Sequence, residues 1–371
     1  MHRIDWSLST QGYNFVTKFA KRSNSLQMAG FAAGSGSRPR PFFAWAPPYL
    51  PRNLGAFMQP VRRAIIDVGT NSIKLLVADV SGRNVRPVHE ESRQTRLGRG
   101  FYETHRLQPE AVACTAEAVW EFAETAREKN SDSIRVIATS AARDAVNPKD
   151  LTQAIERAAG LKVEIITGER EAEWVFKGVT TDAELARQPL LLLDVGGGST
   201  EFILGQGEHK HFAQSFPLGT VRLMEKFPHG DPPLRGQFNA CRDWLKSFLK
   251  AEIRPKINPA LRREARSSSG EIQLVGTGGT TSILARMANK LDRFDRERIE
   301  ATQLSLEQLK AQRRKLWSLP LAERKEIPGL PKLRADVILT GVLIYEAVME
   351  EFGFEQLRIS TRGLRFAAVM D

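Results

Sequence analysis

In the stretch LLLDVGGGSTEFILG, residues 191–205, an aliphatic run delivers Asp194 into three consecutive glycines, and a second apolar run begins at Phe202. Strand, glycine turn, strand is the reading this pattern supports. Gly196, Gly197 and Gly198 have no Cβ, so their N–H groups can converge on an anion that comes closer than any side chain would allow. That is chemistry suited to phosphate. Asp194 conflicts with phosphate alone, because two unit charges about 4 Å apart repel by roughly 1 to 4 kcal/mol even in a well-screened setting. A Mg²⁺ ion or an attacking water between them removes the conflict. For three glycines in isolation, a hairpin with a flexible turn is an equal alternative.

A second copy tips the balance. AIIDVGTNSIKLLVADV begins at Ala64, and a shift of 127 positions lays Asp67 on Asp194, Gly69 on Gly196, Ser72 on Ser199 and Leu75 on Phe202. Two such turns facing each other across a cleft would hold a phosphate chain from both sides, with Asp67 and Asp194 sharing a cation. A third glycine turn, GTGGTTSILARM, follows a strand at 272–275 and opens a helix at Thr280 or Thr281. It could take phosphate on its N–H groups, although close strand–helix packing explains it equally well.

The elements between the hairpins supply further candidates. Residues 134–138 read as a strand running into TSAARDAVNP, which places Arg143 in a loop at a strand end, where α/β sheets bind ligands; a solvated surface arginine is the plainer alternative. Asn147 caps the next helix, which ends at Gly160. Residues 162–167 read as a strand, followed by GEREAEWVFKGV, a helix that begins just after Gly168. Acids in a first helical turn are favoured by the helix dipole, and that accounts for Glu169. Glu171 differs in prospect, because its strand and the Asp194 strand deliver their ends to one sheet edge. Helical spacing marks 109–129, 234–253, 304–316 and 336–352, and LRIS reads as a last strand. The charge-rich DRFDRER and AQRRK read as solvated faces.

At 371 residues and 42% hydrophobic, the chain is long enough for two ordinary domains. No window approaches the length of a membrane span, and no compact secretory core opens the chain. Cys114 and Cys241 lack zinc-like spacing and read as reduced thiols of a cytoplasmic protein. Residues 1–60 carry one acid, Asp5, against seven Lys or Arg, among Pro, Gly and Ser, and read as an unstructured extension. About +6 of the net charge of +11 belongs there, so the remainder is only mildly basic. Such a leader suits an organelle address or a nucleic-acid tail, but Met58, just before the first strand, favours a dispensable or misassigned extension.

DVGTNS, TSAARDAVN, ITGEREA, DVGGGSTE, GTGGTT, PGLPKLRADVILTG and ISTRGLR follow one another between about Arg63 and Arg365. Together they resemble the exopolyphosphatase/guanosine pentaphosphatase (Ppx/GppA) phosphatase family, within the actin, sugar-kinase and Hsp70 superfamily. The resemblance implies an α/β protein of actin-like (ribonuclease H-like) ATPase fold, with two similar domains, 61–187 and 188–371, and a cleft between them. It implies Glu171 as general base for water, Asp194 and Glu201 as organisers of metal and water, and Arg143 as a phosphate grip. With the cation shared by Asp67 and Asp194, the metal set becomes Asp67, Asp194 and Glu201, for Mg²⁺. Asn71, Ser72, Gly197, Gly198 and Ser199 line the phosphate site by resemblance, and the turns add Gly69, Thr70, Gly196, Gly278, Gly279 and Thr280. The family pattern often has Ser where this chain has Thr70, and some members carry a Lys after Val275 that this chain lacks. Longer members have an extra C-terminal helical domain; this chain resembles the short form.

The implied activity is release of orthophosphate from the end of inorganic polyphosphate. The nearest rival is hydrolysis of guanosine pentaphosphate by the same catalytic set. Rivals of other classes are a kinase or ATP-driven chaperone, and a non-catalytic nucleotide or polyphosphate sensor. The arginines of QTRLGRGF and DRFDRERIE lean toward an anionic chain as substrate. No nucleic acid and no membrane are implied as partners, and a homodimer stays open.

Overall fold

The computed structural model describes residues 59–267 and 270–371. The 1–60 segment expected to be an unstructured extension lies, but for its last two residues, outside the described residues. Two mixed sheets organise the rest. The first runs β3 (Asn84–Arg93), β2 (Ile73–Ser81), β1 (Val61–Val68), β4 (Ser133–Ala138), β5 (Val163–Ile165). The second runs β10 (Gln303–Ser305), β11 (Gln356–Ile359), β9 (Gln273–Thr277), β6 (Leu190–Val195), β7 (Thr200–Gln206), β8 (His209–Phe216). Each sheet is built on one of the expected hairpins, extended by a third antiparallel strand on one side and by a parallel strand on the other.

The apolar runs do not alternate with polar residues because both sheet faces are covered. In β1 and β2, Ile66, Val68, Leu75 and Val77 face a core beneath the helix Pro109–Glu128, while Ile65, Leu76 and Ala78 face the opposite way. In β6, Leu191 and Leu193 face a core filled by the helix Ile338–Phe352, while Leu190 and Leu192 turn to the same cluster that Ile65 enters. That middle cluster is shared by both sheets. Trp174 and Val175 of the helix Gly168–Val179 and Leu364 and Phe366 of the final helix Leu364–Ala368 fill it. Arg63 then donates to the Met370 carbonyl at 2.9 Å, so the last residues of the chain are tied to the first strand.

Several local expectations differ from the outcome. Arg143 is not in a loop, because Ser140–Asp144 forms a short helix directly after β4. Asn147 stands at the start of the helix Pro148–Ala159 but does not cap it; its Oδ1 accepts from Leu107 N at 2.8 Å and its Nδ2 donates to Leu107 O at 3.1 Å. The helix after β9 opens at Gly278, two residues before Thr280. The amphipathic helix Arg235–Phe248 does not stop at Ile253 but passes through a π-helical turn, Leu249–Ile253, into Arg254–Ser267. Among the described residues, no helix is long and apolar enough to cross a membrane.

The shared core leaves no slack at Gly178, where an added Cβ would run into the Gly363 carbonyl group. Both partners there are backbone, so neither can rotate away. Gly178→Ala is expected to destabilise the protein by about 1 to 3 kcal/mol, the usual range for overpacking. A denaturant midpoint equal to that of the parent protein would show that the middle cluster is looser than described.

Candidate active site

The two hairpin turns close in the same way, with Gly69 N donating to Ser72 O at 3.1 Å and Gly196 N to Ser199 O at 3.0 Å. The 127-residue repeat thus survives at the level of single hydrogen bonds. The carbonyls of the second turn are occupied by the start of the helix Thr220–Lys226: Thr220 N donates to Gly196 O at 3.0 Å and Val221 N to Gly197 O at 2.8 Å. With the carbonyls held behind, the N–H groups of Gly197 and Gly198 are left for the cleft, as are those of Thr70 and Asn71; none of the four donates to another described group. Unmatched N–H groups in a turn form an anion site. The turns meet across the cleft, since a Cβ on Gly197 would lie 2.9 Å from Thr70 Cβ, and one on Gly198 would overlap Ser140 Oγ and the Tyr102 hydroxyl. Glycine is needed here for close approach as much as for exposing N–H groups.

Four carboxylates line this pocket: Asp67, Glu171, Asp194 and Glu201. Asp194 and Glu201 stand opposite each other in the β6–β7 ladder. Glu171 comes from the first turn of its helix, whose start is capped by Thr167 accepting from Arg170 N at 3.2 Å. Burial, above all, raises the Glu171 carboxyl to about 7; Arg143 opposes the rise, while Asp194 and Asp67 add to it. Burial also pushes Asp67 and Asp194 up, against the pull of Lys74 and Arg365. Glu201 is pushed well above the usual carboxylate range by burial and then by Glu171 and Asp194. Its Oε1 accepts from Ser215 Oγ at 2.7 Å and Ser199 Oγ at 2.9 Å, so Ser199 serves a carboxylate rather than pointing free into the pocket.

Arg143, expected to grip phosphate, is bonded to Glu171: its Nη1 donates to Oε2 at 2.9 Å and to the Ile166 carbonyl at 3.1 Å. It is not among the groups that line the pocket, and neither is Thr280, whose hydroxyl donates to Val195 O at 3.0 Å and so pins the third turn to β6. The other candidates from the three turns do come together. Gly278 sits at φ +87° and so close to Asp194 that a Cβ would overlap Oδ1. Three cations that were not singled out in the sequence also line the pocket: Lys74, Arg334 and Arg365. Lys74 was legible, because the same shift lays it on Glu201; Asp67 faces Lys74 where Asp194 faces Glu201. Arg334 is buried, donates to Ser72 Oγ at 2.9 Å and has its basicity lowered by burial to about 10. No local pattern distinguishes it in PGLPKLRADV.

Among the described residues, no three His, Cys, Asp or Glu side chains gather into a metal cage, so Asp67, Asp194 and Glu201 do not form one. Asp67 Oδ1 is nonetheless buried without a hydrogen-bond partner, beside an Asp194 that shares its cations. An orphaned carboxylate oxygen next to a turn with unmatched N–H groups fits Mg²⁺, which is commonly held by one or two carboxylates together with substrate phosphates.

Comparisons with known proteins bear on the chain as a whole. The model of the Ppx/GppA phosphatase family matches residues 76–370. Exopolyphosphatase 2 of Mycobacterium tuberculosis is 35% identical over 318 residues, covering 82% of this chain and 96% of that protein. Among solved structures, an exopolyphosphatase from Cytophaga hutchinsonii is similar at a TM-score of 0.71 and 27% identity, covering 82% of this chain and 96% of that one. The Ppx-GppA enzyme of Aquifex aeolicus is similar at a TM-score of 0.66 and 28% identity, covering 84% and 99%.

The Glu171 environment can be read by titration. With isotope-labelled carboxyls, its midpoint is expected near 7, and Arg143→Gln should move it higher, because the guanidinium is what holds it down. Raised above its ordinary 4.5, this acid gives its full contribution to stability below that value and loses it as pH rises through about 7. An ordinary midpoint in the parent protein would remove Glu171 from the set of perturbed acids.

Proposed function

Because the chain belongs to the Ppx/GppA phosphatase family, with its actin-like fold of two mixed sheets, we propose that it hydrolyses the terminal phosphoanhydride of inorganic polyphosphate and releases orthophosphate. One observation carries the chemistry: a buried carboxyl raised to about 7, Glu171, lies in the same pocket as two facing turns with unmatched N–H groups. A base is most useful when its pKa is near the working pH, and an unperturbed Glu is too weak to serve. In this reading the turns hold the terminal phosphoryl group, and Glu171, oriented by Arg143, takes a proton from the water that attacks phosphorus. The bridging P–O bond breaks and the shortened chain leaves with the bridging oxygen. Lys74 and Arg334 stand ready for the negative charge of the chain. Asp67 and Asp194 would hold a Mg²⁺ ion, which when bound supplies charge neutralisation for the phosphate oxygens. We place the enzyme in the cytoplasm, in keeping with its unpaired cysteines, Cys114 and Cys241.

The preference for polyphosphate rests on fewer cations than the sequence promised. Arg96 is paired with Asp336 at 2.9 Å and Arg296 with Glu90, so neither is free for a substrate tail. A second cavity shares Lys74 and Arg334 with the phosphate site, and its lining includes an apolar part, Ile283, Phe294 and Pro331, beside the charged Glu90, Glu91 and Arg286. Phe294 is 49% exposed. An apolar slot beside a phosphate site suits a purine, and this favours guanosine pentaphosphate as the second reading.

Phosphate release from short and long polyphosphates, from guanosine pentaphosphate and from ATP with an acceptor separates the readings; a higher kcat/KM for the nucleotide would overturn the substrate while leaving the chemistry. Glu171→Gln is expected to slow release by at least about 100-fold, the low end for base catalysis, with substrate affinity nearly kept. The acid limb of kcat/KM should fall near pH 7, since only the ionised carboxylate accepts the proton. If the Gln variant retained more than about a tenth of the activity, Glu171 would not be the base.

A further inference from the structure

The helix Thr220–Lys226 does more than hold the carbonyls of the second turn. Arg222 and Glu225, on neighbouring turns of this helix, both reach across the cleft to the half of the molecule built on the first sheet. Glu225 accepts from Gly100 N at 2.6 Å through Oε1 and from Tyr102 N at 3.0 Å through Oε2. Arg222 donates to Gly198 O at 2.8 Å and to Asp144 Oδ2 at 3.0 Å, with its guanidinium 4.2 Å from the centre of the Tyr102 ring. The residues it grips belong to the 96–102 loop and to the short helix that carries Arg143. That loop is bonded in turn to the first phosphate turn, Gly98 N to Thr70 O at 2.7 Å and Arg96 N to Asn71 O at 3.1 Å. It is therefore fixed to the first turn by its own backbone and to the second turn only through side chains.

We propose that Arg222 and Glu225 are positioning residues that latch the 96–102 loop across the cleft, holding the two phosphate turns at their closed spacing. The turns touch in this state, with room for no side chain between Gly197 and Thr70. A phosphate chain that enters between them must part them, and the contacts that give way are the charge-assisted ones to Glu225 and Asp144, since no covalent or strand link joins the loop to the helix. The Arg96–Asp336 pair closes the same loop from its other end. The arginine-bearing loop that reads in the sequence as a cationic rim for substrate thus becomes a moving cover. This inference uses the proposed substrate only as a probe, and its first test needs none.

Amide exchange on the full chain without substrate reads the latch directly. In Glu225→Ala, exchange at Gly100 and Tyr102 should quicken by about tenfold, the size expected for losing a charge-assisted hydrogen bond. Glu225→Gln, which keeps an oxygen acceptor without the charge, should lie between, and serves if the Ala variant folds poorly. With a short inorganic polyphosphate, the Ala variant should show KM lowered about tenfold and kcat within about twofold, because the open fraction that admits the chain grows while the bound state is the same in both proteins. A residue that only supports the fold would lower the melting temperature without this split. Unchanged exchange at Gly100 and Tyr102, or faster exchange with unchanged KM, would overturn the latch. Failure of the parent protein to release phosphate from polyphosphate would count against the substrate, while the exchange result would still decide the latch.

Discussion

Four carboxyl groups are crowded into one cleft, and the arrangement of the rest answers that crowding. Asp67, Glu171, Asp194 and Glu201 share one pocket, and all four are pushed toward the neutral form, burial being the largest cause in each. Uncompensated, such a group would be costly, because like charges in a low-dielectric site cannot all ionise. Arg143, Lys74 and Arg365 offset part of it, and Ser199 and Ser215 supply hydroxyl donors to Glu201. A site that must also receive a polyanion gains from carboxylates held near neutrality until a cation arrives.

The same hairpin, used twice, becomes an unequal pair through one position. Lys74 in the first copy stands where Glu201 stands in the second, so a carboxylate faces a cation on one side of the cleft and another carboxylate on the other. That asymmetry gives one turn a lysine partner for its carboxylate and gives the other a second carboxylate. The shared middle core, with Trp174 and Phe366 between the sheets, sets the two turns at their distance, while the polar contacts at the rim hold the cleft shut. Apolar packing thus joins the two sheets, and ion pairs close the rim of the cleft.

Arginine shows how burial redirects a side chain. Arg96, Arg143, Arg222 and Arg296 each find a carboxylate before any substrate is present. A planar guanidinium with five donors is well suited to such cross-links, which fix geometry that lysine would leave loose. What remains open to a ligand is a small set, Lys74 and the backbone N–H groups above all.

The hairpins, their turns, the order of the elements and the acids Asp67 and Asp194 were legible in the sequence, because each follows from local pattern: apolar runs ending in Asp, and glycines where no Cβ fits. Glu171 was a prospect from its sheet edge, and its role, like that of Glu201, came only with the family resemblance. The repeat even carried the Lys74 signal, for whoever compared position 74 with 201. The partners of Arg143 and Ser199 were not legible: Arg143 takes a carboxylate 28 residues away, and Ser199 takes Glu201, two residues on, whose place is set by the β6–β7 pairing. Nor were Arg334 and Arg365, which reach the pocket from the far end of the chain. The 96–102 loop read as a rim of cations, but Glu225 and Asp336 decide its place from 123 to more than 200 residues on. Local periodicity determines which elements form; only folding brings together the charges that compete for each other, and that competition settles which of them are left for a ligand.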